Sequence, residues 1–118
     1  METRHALDAL TGLAQKSRLA LFRELVQRGP AGATPGELAE TVGIAPTTLS
    51  FHLKTLLQAG LVHAEQQGRS ITYRADFKAM QGLVEYLTDN CCAGDASQCA
   101  PVRAPASTPV RPAVRKRA

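Results

Sequence analysis

The sequence predicts a mainly α-helical domain with one small β-hairpin, arranged as a winged helix-turn-helix. Three observations lead there. Between Thr34 and Leu61, two amphipathic helical segments are separated by a turn at Gly43. The second segment has an outer face without a single carboxylate. Directly after it, the hydrophobic pattern changes from helical spacing to the alternation of two short strands around Gly68.

Taken in order, residues 3–14 place Leu7, Leu10, Leu13 and Ala14 on one side of a first helix. Residues 16–28 do the same with Leu19, Phe22, Leu25 and Val26, and stop at Gly29-Pro30. Ala31 to Ala33 form a small-residue loop. Thr34 then serves as an N-cap, Pro35 occupies the first helical position where its missing N–H costs nothing, and Glu37 completes a capping box. Leu38, Ala39 and Val42 form the apolar stripe of this helix, and Gly43 ends it in the left-handed conformation. Pro46 opens the next helix, whose apolar stripe is Leu49, Leu53, Leu56 and Leu57, and Gly60 closes it. Two such helices joined by a glycine-containing turn make a helix-turn-helix. LVHAEQ and SITYRA follow as strands of a hairpin turning at Gln67-Gly68-Arg69. Asp76 caps a last helix with Phe77, Met80, Leu83, Val84 and Leu87 as its stripe.

At about 100° per residue, the side of the second helix opposite its leucines collects Thr47, Phe51, Lys54 and Gln58, flanked by Thr48 and Ser50. A merely solvated face would be rich in Glu and Lys. Hydroxyls, an amide and one lysine instead suit the donors and acceptors of a DNA major groove, and the Phe51 ring suits a thymine methyl. The competing role for Phe51 is packing on another part of the protein. His52 falls at the edge of the leucine stripe, so packing and a phosphate contact are both open to it. A hairpin directly after such a helix is a wing, and its Arg69 and Arg74 are candidates for phosphate or minor-groove contacts.

A chain of 118 residues supports one small domain. It has no apolar run near the roughly 20 residues that span a membrane, and its N-terminus lacks a signal-peptide pattern. The expectation is a cytoplasmic protein with no membrane partner. The net charge of +4 is uneven: residues 1–99 hold nine Lys/Arg and all ten Asp/Glu, whereas residues 100–118 hold five Lys/Arg and no acid. DNA affinity of the folded part must therefore come from a local patch. Residues 1–99 are read as the DNA-binding and dimerisation domain, ending in a cysteine loop at 91–99. The proline-rich, basic residues 100–118 are read as a disordered tail that either adds salt-sensitive DNA affinity or merely solubilises. The first and last helices offer more apolar surface than so small a core needs, which predicts that they pair in a symmetric dimer on a palindromic operator.

All three cysteines, Cys91, Cys92 and Cys99, lie within nine residues. The set lacks the fourth thiol, CxxC pair or neighbouring histidine of a zinc knuckle. Three clustered thiolates suit a soft ion with a preference for three sulfurs, and trivalent arsenic fits because its lone pair leaves a three-coordinate pyramid. Incidental or redox-active thiols are the alternative, with a disulfide feasible between Cys99 and either neighbour. No acid/base pair, phosphate loop or nucleophile–histidine spacing supports an enzyme.

LAQKSRLALFREL, GELAETVGIAPTTLSFHLKTLLQAGLV and QQGRSITYRA resemble the ArsR/SmtB family of dimeric winged-helix repressors, over residues 5–90. One arsenic-sensing group of that family carries cysteines at the start of the helix before the turn, where this chain has Thr34, Gly36 and Ala39. A zinc-sensing group uses Asp and His on the last helix, which here has no histidine. The remaining pattern resembles arsenite sensors with a C-terminal three-cysteine site. The resemblance implies that Cys91, Cys92 and Cys99 bind As(III), with Sb(III) as a second candidate inducer, that no cofactor is required, and that the dimer then releases its operator. A redox- or sulfide-responsive repressor using the same cysteines is the main rival. A small thiol protein that carries arsenite and binds no DNA is the other.

Overall fold

The computed structural model describes residues 1–94, in two units, Met1–Leu87 and the stretch from Thr88 onward. Cys99 and the basic tail lie outside the described residues.

Five α-helices and one hairpin make up the first unit: α1 (Thr3–Leu13), α2 (Lys16–Arg28), α3 (Pro35–Val42), α4 (Pro46–Gln58), β1 (Val62–Gln67), β2 (Ser70–Ala75) and α5 (Phe77–Leu87). The capping signals behave as their chemistry requires. Thr34 Oγ1 accepts from the Glu37 N–H, and the Glu37 carboxylate accepts from the Thr34 N–H. That second bond stabilises the charged form and holds the Glu37 carboxyl below its usual range. Gly43 sits at φ 78°, ψ 43° and donates to the Ala39 carbonyl at 2.8 Å. Asp76 Oδ1 accepts from Ala79 N–H at 3.0 Å and so caps α5. The uncapped start of α4 follows Ala45, with Pro46 opening the helix.

The core is built from Leu21, Leu25, Leu38, Leu49, Leu53, Leu56 and Leu61, all fully buried. Each contributes about 1.5–3 kcal/mol of burial free energy. These leucines come from α2, α3, α4 and the residue just before β1, so the helix-turn-helix is anchored on α2.

Two expected stripes are turned from their expected direction. In α1 the buried residues are Ala6, Ala9 and Gly12, while Leu7 is 57% exposed and Leu10 also faces out. The reason is close approach. A Cβ on Gly12 would lie 2.8 Å from Ala59 Cβ and 3.3 Å from a Leu61 methyl, so only small residues let α1 reach the end of α4. In α5 Leu83 is buried, whereas Phe77 and Leu87 are exposed. Leu19 and Leu57 are likewise exposed rather than core residues. Helices α1 and α5 lie side by side, with Thr3 Oγ1 hydrogen-bonded to the Tyr86 hydroxyl. Near them Met1, His5, Ala9, Ala59, Gly60 and Ala79 line an apolar recess of about 260 Å³.

The hairpin pairs Gln67 with Ser70, which leaves Gly68-Arg69 as a two-residue turn, one residue shorter than expected. Gly68 has φ 63° and Arg69 does not share the positive φ. Glycine at the first central position with positive φ there alone is the type II′ pattern, whose twist matches that of paired strands. The loop before α3 is more ordered than its small residues suggested. Gly29–Ala31 form a 3-10 turn, and Ala33 exchanges both backbone hydrogen bonds with Tyr73, at 2.9 and 2.8 Å.

Candidate nucleic-acid interface

The outer face of α4 is exposed along its length. Thr47, Thr48, Ser50, Lys54 and Gln58 all reach solvent, and Phe51 is 64% exposed. The ring of Phe51 therefore does not pack into the body of this chain; its one aromatic neighbour is the adjacent His52, edge-on at 5.8 Å. An unburied phenylalanine among short hydroxyls forfeits hydrophobic free energy in the single chain. A major groove offering thymine methyls would recover it. Thr55, on the flank, donates its hydroxyl to the Phe51 carbonyl at 3.2 Å and is occupied with its own helix.

His52 does not join that face. It is 7% exposed, and Arg18 Nη1 lies 3.4 Å from its Nδ1. Because a guanidinium only donates, Nδ1 must be the acceptor and the proton of the neutral ring sits on Nε2. Burial, and secondarily the Arg18 charge, hold the His52 pKa below its usual value. The phosphate contact considered for His52 is thus corrected to a packing role: one step around the helix from Phe51 points inward.

Arg69 stands exposed at the hairpin tip. Arg74 is placed differently. Its Nε donates to the Pro30 carbonyl at 2.8 Å and its Nη1 to Glu65 Oε1 at 2.7 Å, leaving the side chain half-buried at the hairpin's base. A direct DNA contact by Arg74 is corrected on this geometry, since its donors already serve the protein. The sequence carried no signal for either partner, because Pro30 lies 44 residues away.

A helix-turn-helix domain family matches residues 13–65 of this chain. The arsenical resistance operon repressor of Bacillus subtilis is 34% identical over 80 residues, covering 68% of this chain and 72% of that protein. The chain belongs to the ArsR family of winged helix-turn-helix transcriptional regulators. As an ArsR-family regulator it binds DNA through the α3–α4 unit. Among solved structures, an ArsR-like regulator from Rhodococcus sp. RHA1 superposes with a TM-score of 0.64 at 25% identity, over 71% of this chain and 76% of that one. The homodimeric winged helix-turn-helix domain Mb0332 of Mycobacterium bovis has a TM-score of 0.59 at 25% identity, over 79% and 86%.

In this ArsR-family chain the cysteine segment is described only at its start. Cys91 opens a 3-10 turn, Cys91–Gly94, with its N–H donating to the Thr88 carbonyl at 3.0 Å. Asn90 and Ala93 on either side of the cysteine pair have φ near 58° and 56°. Cys91 is disulfide-bonded, so its sulfur is in the oxidised state here and would have to be reduced before ligating an ion. Among the described residues no group of three His, Cys, Asp or Glu is placed to hold a metal ion. Among them, too, no helix is long and apolar enough to cross a membrane.

Proposed function

We propose that this protein is an arsenite-responsive repressor that binds a palindromic operator as a homodimer and releases it when As(III) is captured by Cys91, Cys92 and Cys99. Sb(III) has the same three-coordinate sulfur chemistry and is the second inducer the site would accept. The observation that carries the DNA half of this reading is the exposed, carboxylate-free face of α4 centred on Phe51. Thr47, Thr48, Ser50, Phe51 and Lys54 read or approach the major groove, and Arg69 at the wing tip reaches the flanking backbone. Support for the inducer half comes from the three clustered cysteines and from the arsenical-resistance role named for the Bacillus subtilis relative. The dimer is supported by the outward leucines of α1 and α5, and by the homodimeric state named for Mb0332.

In the reduced protein, three thiols displace the three hydroxyls of arsenous acid, and Cys91 to Cys99 close into one compact sulfur-bound loop. That loop follows α5 directly, so its contraction biases how two subunits pair and hence the spacing of the two α4 helices. A coupling of only about 1–3 kcal/mol weakens operator binding roughly 5–150-fold.

The disulfide at Cys91 favours a second reading with the same DNA face, in which oxidation rather than arsenite contracts the segment. The test separates them. Operator binding by the reduced protein is titrated with arsenite and, separately, with an oxidant, for the wild type and Cys99→Ser. Release by arsenite that Cys99→Ser abolishes supports the three-sulfur sensor. Release by oxidant alone supports the redox reading, and arsenite release that survives Cys99→Ser removes the three-sulfur site.

A further inference from the structure

The hairpin is fastened to the domain at one end only. At its base, Tyr73 and Ala33 exchange two backbone hydrogen bonds, and Gly32 at φ 66° brings that strand so close that a Cβ would strike Arg74 Cγ at 2.8 Å and Thr72 Cγ2 at 2.9 Å. Beside this junction Arg74 spans three segments. It rises from β2, reaches across the hairpin to Glu65 on β1, and reaches back to the Pro30 carbonyl in the turn that ends α2. From Pro30 onward the chain enters α3 within five residues, so the group that holds Pro30 is tied to the frame of the helix-turn-helix.

From these contacts we propose that Arg74 is a positioning residue, a clamp that sets the angle of the wing to the recognition helix and so places Arg69 against the DNA, rather than a phosphate ligand itself. The inference rests on the reading of the hairpin as a DNA-contacting wing. Five residues of strand separate Arg74 from Arg69, roughly 16 Å at about 3.3 Å per residue. Over that lever a tilt of about 10° at the base moves the tip by about 3 Å, enough to take a side chain out of hydrogen-bonding range. Two acceptors at fixed positions need the forked donors of a guanidinium; a single ammonium satisfies one of them.

The test compares Arg69→Met, Arg74→Met and Arg74→Lys in the full-length reduced protein on the duplex upstream of its own gene, across a salt series and by hydroxyl-radical footprinting. Arg69→Met should reduce the salt-dependence slope of log K by about 0.9, the signature of one lost phosphate contact. Arg74→Met should weaken binding roughly threefold to tenfold with that slope unchanged, and should lose protection only at the flanks of each half-site. A general loss of folding would not confine its effect to the flanks. Arg74→Lys keeps the charge and should be as impaired as Arg74→Met; it also carries the test if the methionine variant folds poorly. A slope lowered by about 0.9 in Arg74→Met, or wild-type affinity in Arg74→Lys, would make Arg74 a phosphate ligand and overturn the clamp. Wild-type affinity and footprint in Arg74→Met would overturn it as well. An unchanged slope in Arg69→Met would instead take the wing off the DNA, and the clamp's role with it.

Discussion

Arg18 lies between two helices that must keep their relative position: its Nε donates to the Gly12 carbonyl at 2.7 Å and its Nη1 reaches Nδ1 of His52 at 3.4 Å. One side chain on α2 thereby joins the end of α1 to the inner side of α4. The arrangement works only with a neutral imidazole, because a proton on Nδ1 would face the guanidinium.

The consequence is a pH dependence whose sign is fixed. The folded-state pKa of His52 lies below its usual value through burial and then through Arg18. The unfolded chain therefore takes up a proton as pH falls past about 6.5, while the folded chain does not, and the equilibrium shifts toward unfolding. The stability that depends on neutral His52 is complete above about pH 6.5 and is lost as pH falls toward its lowered folded-state pKa. Urea midpoints at fixed protein concentration should drop between about pH 7.5 and about pH 5.5. His52→Gln should start about 1–3 kcal/mol less stable and show a shallower drop. An equal drop in both would mean that another group governs the acid limb.

Phe51 and Leu53 stand two residues apart on α4 and should respond oppositely to truncation. Phe51→Ala removes an exposed ring, so unfolding stability should change by no more than about 0.5 kcal/mol. Operator affinity should fall about 5–30-fold, the equivalent of about 1–2 kcal/mol. Leu53→Ala opens the core and should cost about 2–5 kcal/mol of stability. Denaturation curves and fluorescence anisotropy on the two variants decide it; undiminished affinity in Phe51→Ala would take the ring out of the groove.

Those two residues also mark what was legible in the sequence and what was not. Helix ends were readable because caps are local: Thr34 with Glu37, Gly43, and Asp76 act within three or four residues of themselves. The polar face of α4 was readable from spacing alone. The buried side of α1 was not, since a rule that buries the largest apolar residues selects Leu7 and Leu10, whereas contact with Ala59 and Leu61 admits only Ala6, Ala9 and Gly12. Arg74 and His52 were misassigned for a related reason. Both are polar residues at positions compatible with DNA, and the groups that claim them, Pro30, Glu65 and Arg18, are brought near by tertiary structure.

The leucines that α1 turns outward carry a prediction of their own. Leu7 at 57% and Leu87 at 59% exposure have no packing role within one chain, so a charge at Leu7 should barely affect its fold. Leu7→Glu should change intrinsic stability by about 0.5 kcal/mol at most, yet shift the protein to monomer in sedimentation velocity by placing two carboxylates in a symmetric apolar interface. Operator affinity should fall with it, because each half-site is then bound alone. A Leu7→Glu protein that remains dimeric would move the interface elsewhere.

Proton balance separates the proposed inducer from the divalent metals that also favour thiols. Arsenous acid is uncharged near neutral pH, and three thiols exchange with its three hydroxyls to release three waters and no net proton. A divalent cation must displace protons from the same thiols, so its affinity rises with pH up to the thiol pKa near 8.5. Arsenite affinity of the reduced protein should therefore stay nearly level between about pH 6 and about pH 8, whereas that for Zn(II) or Cd(II) should climb at least tenfold over the same span. Calorimetry in two buffers of different ionisation enthalpy measures the protons directly. About three protons released per arsenite would show that the sulfurs bind a cationic species and that the exchange at Cys91, Cys92 and Cys99 is not the one described.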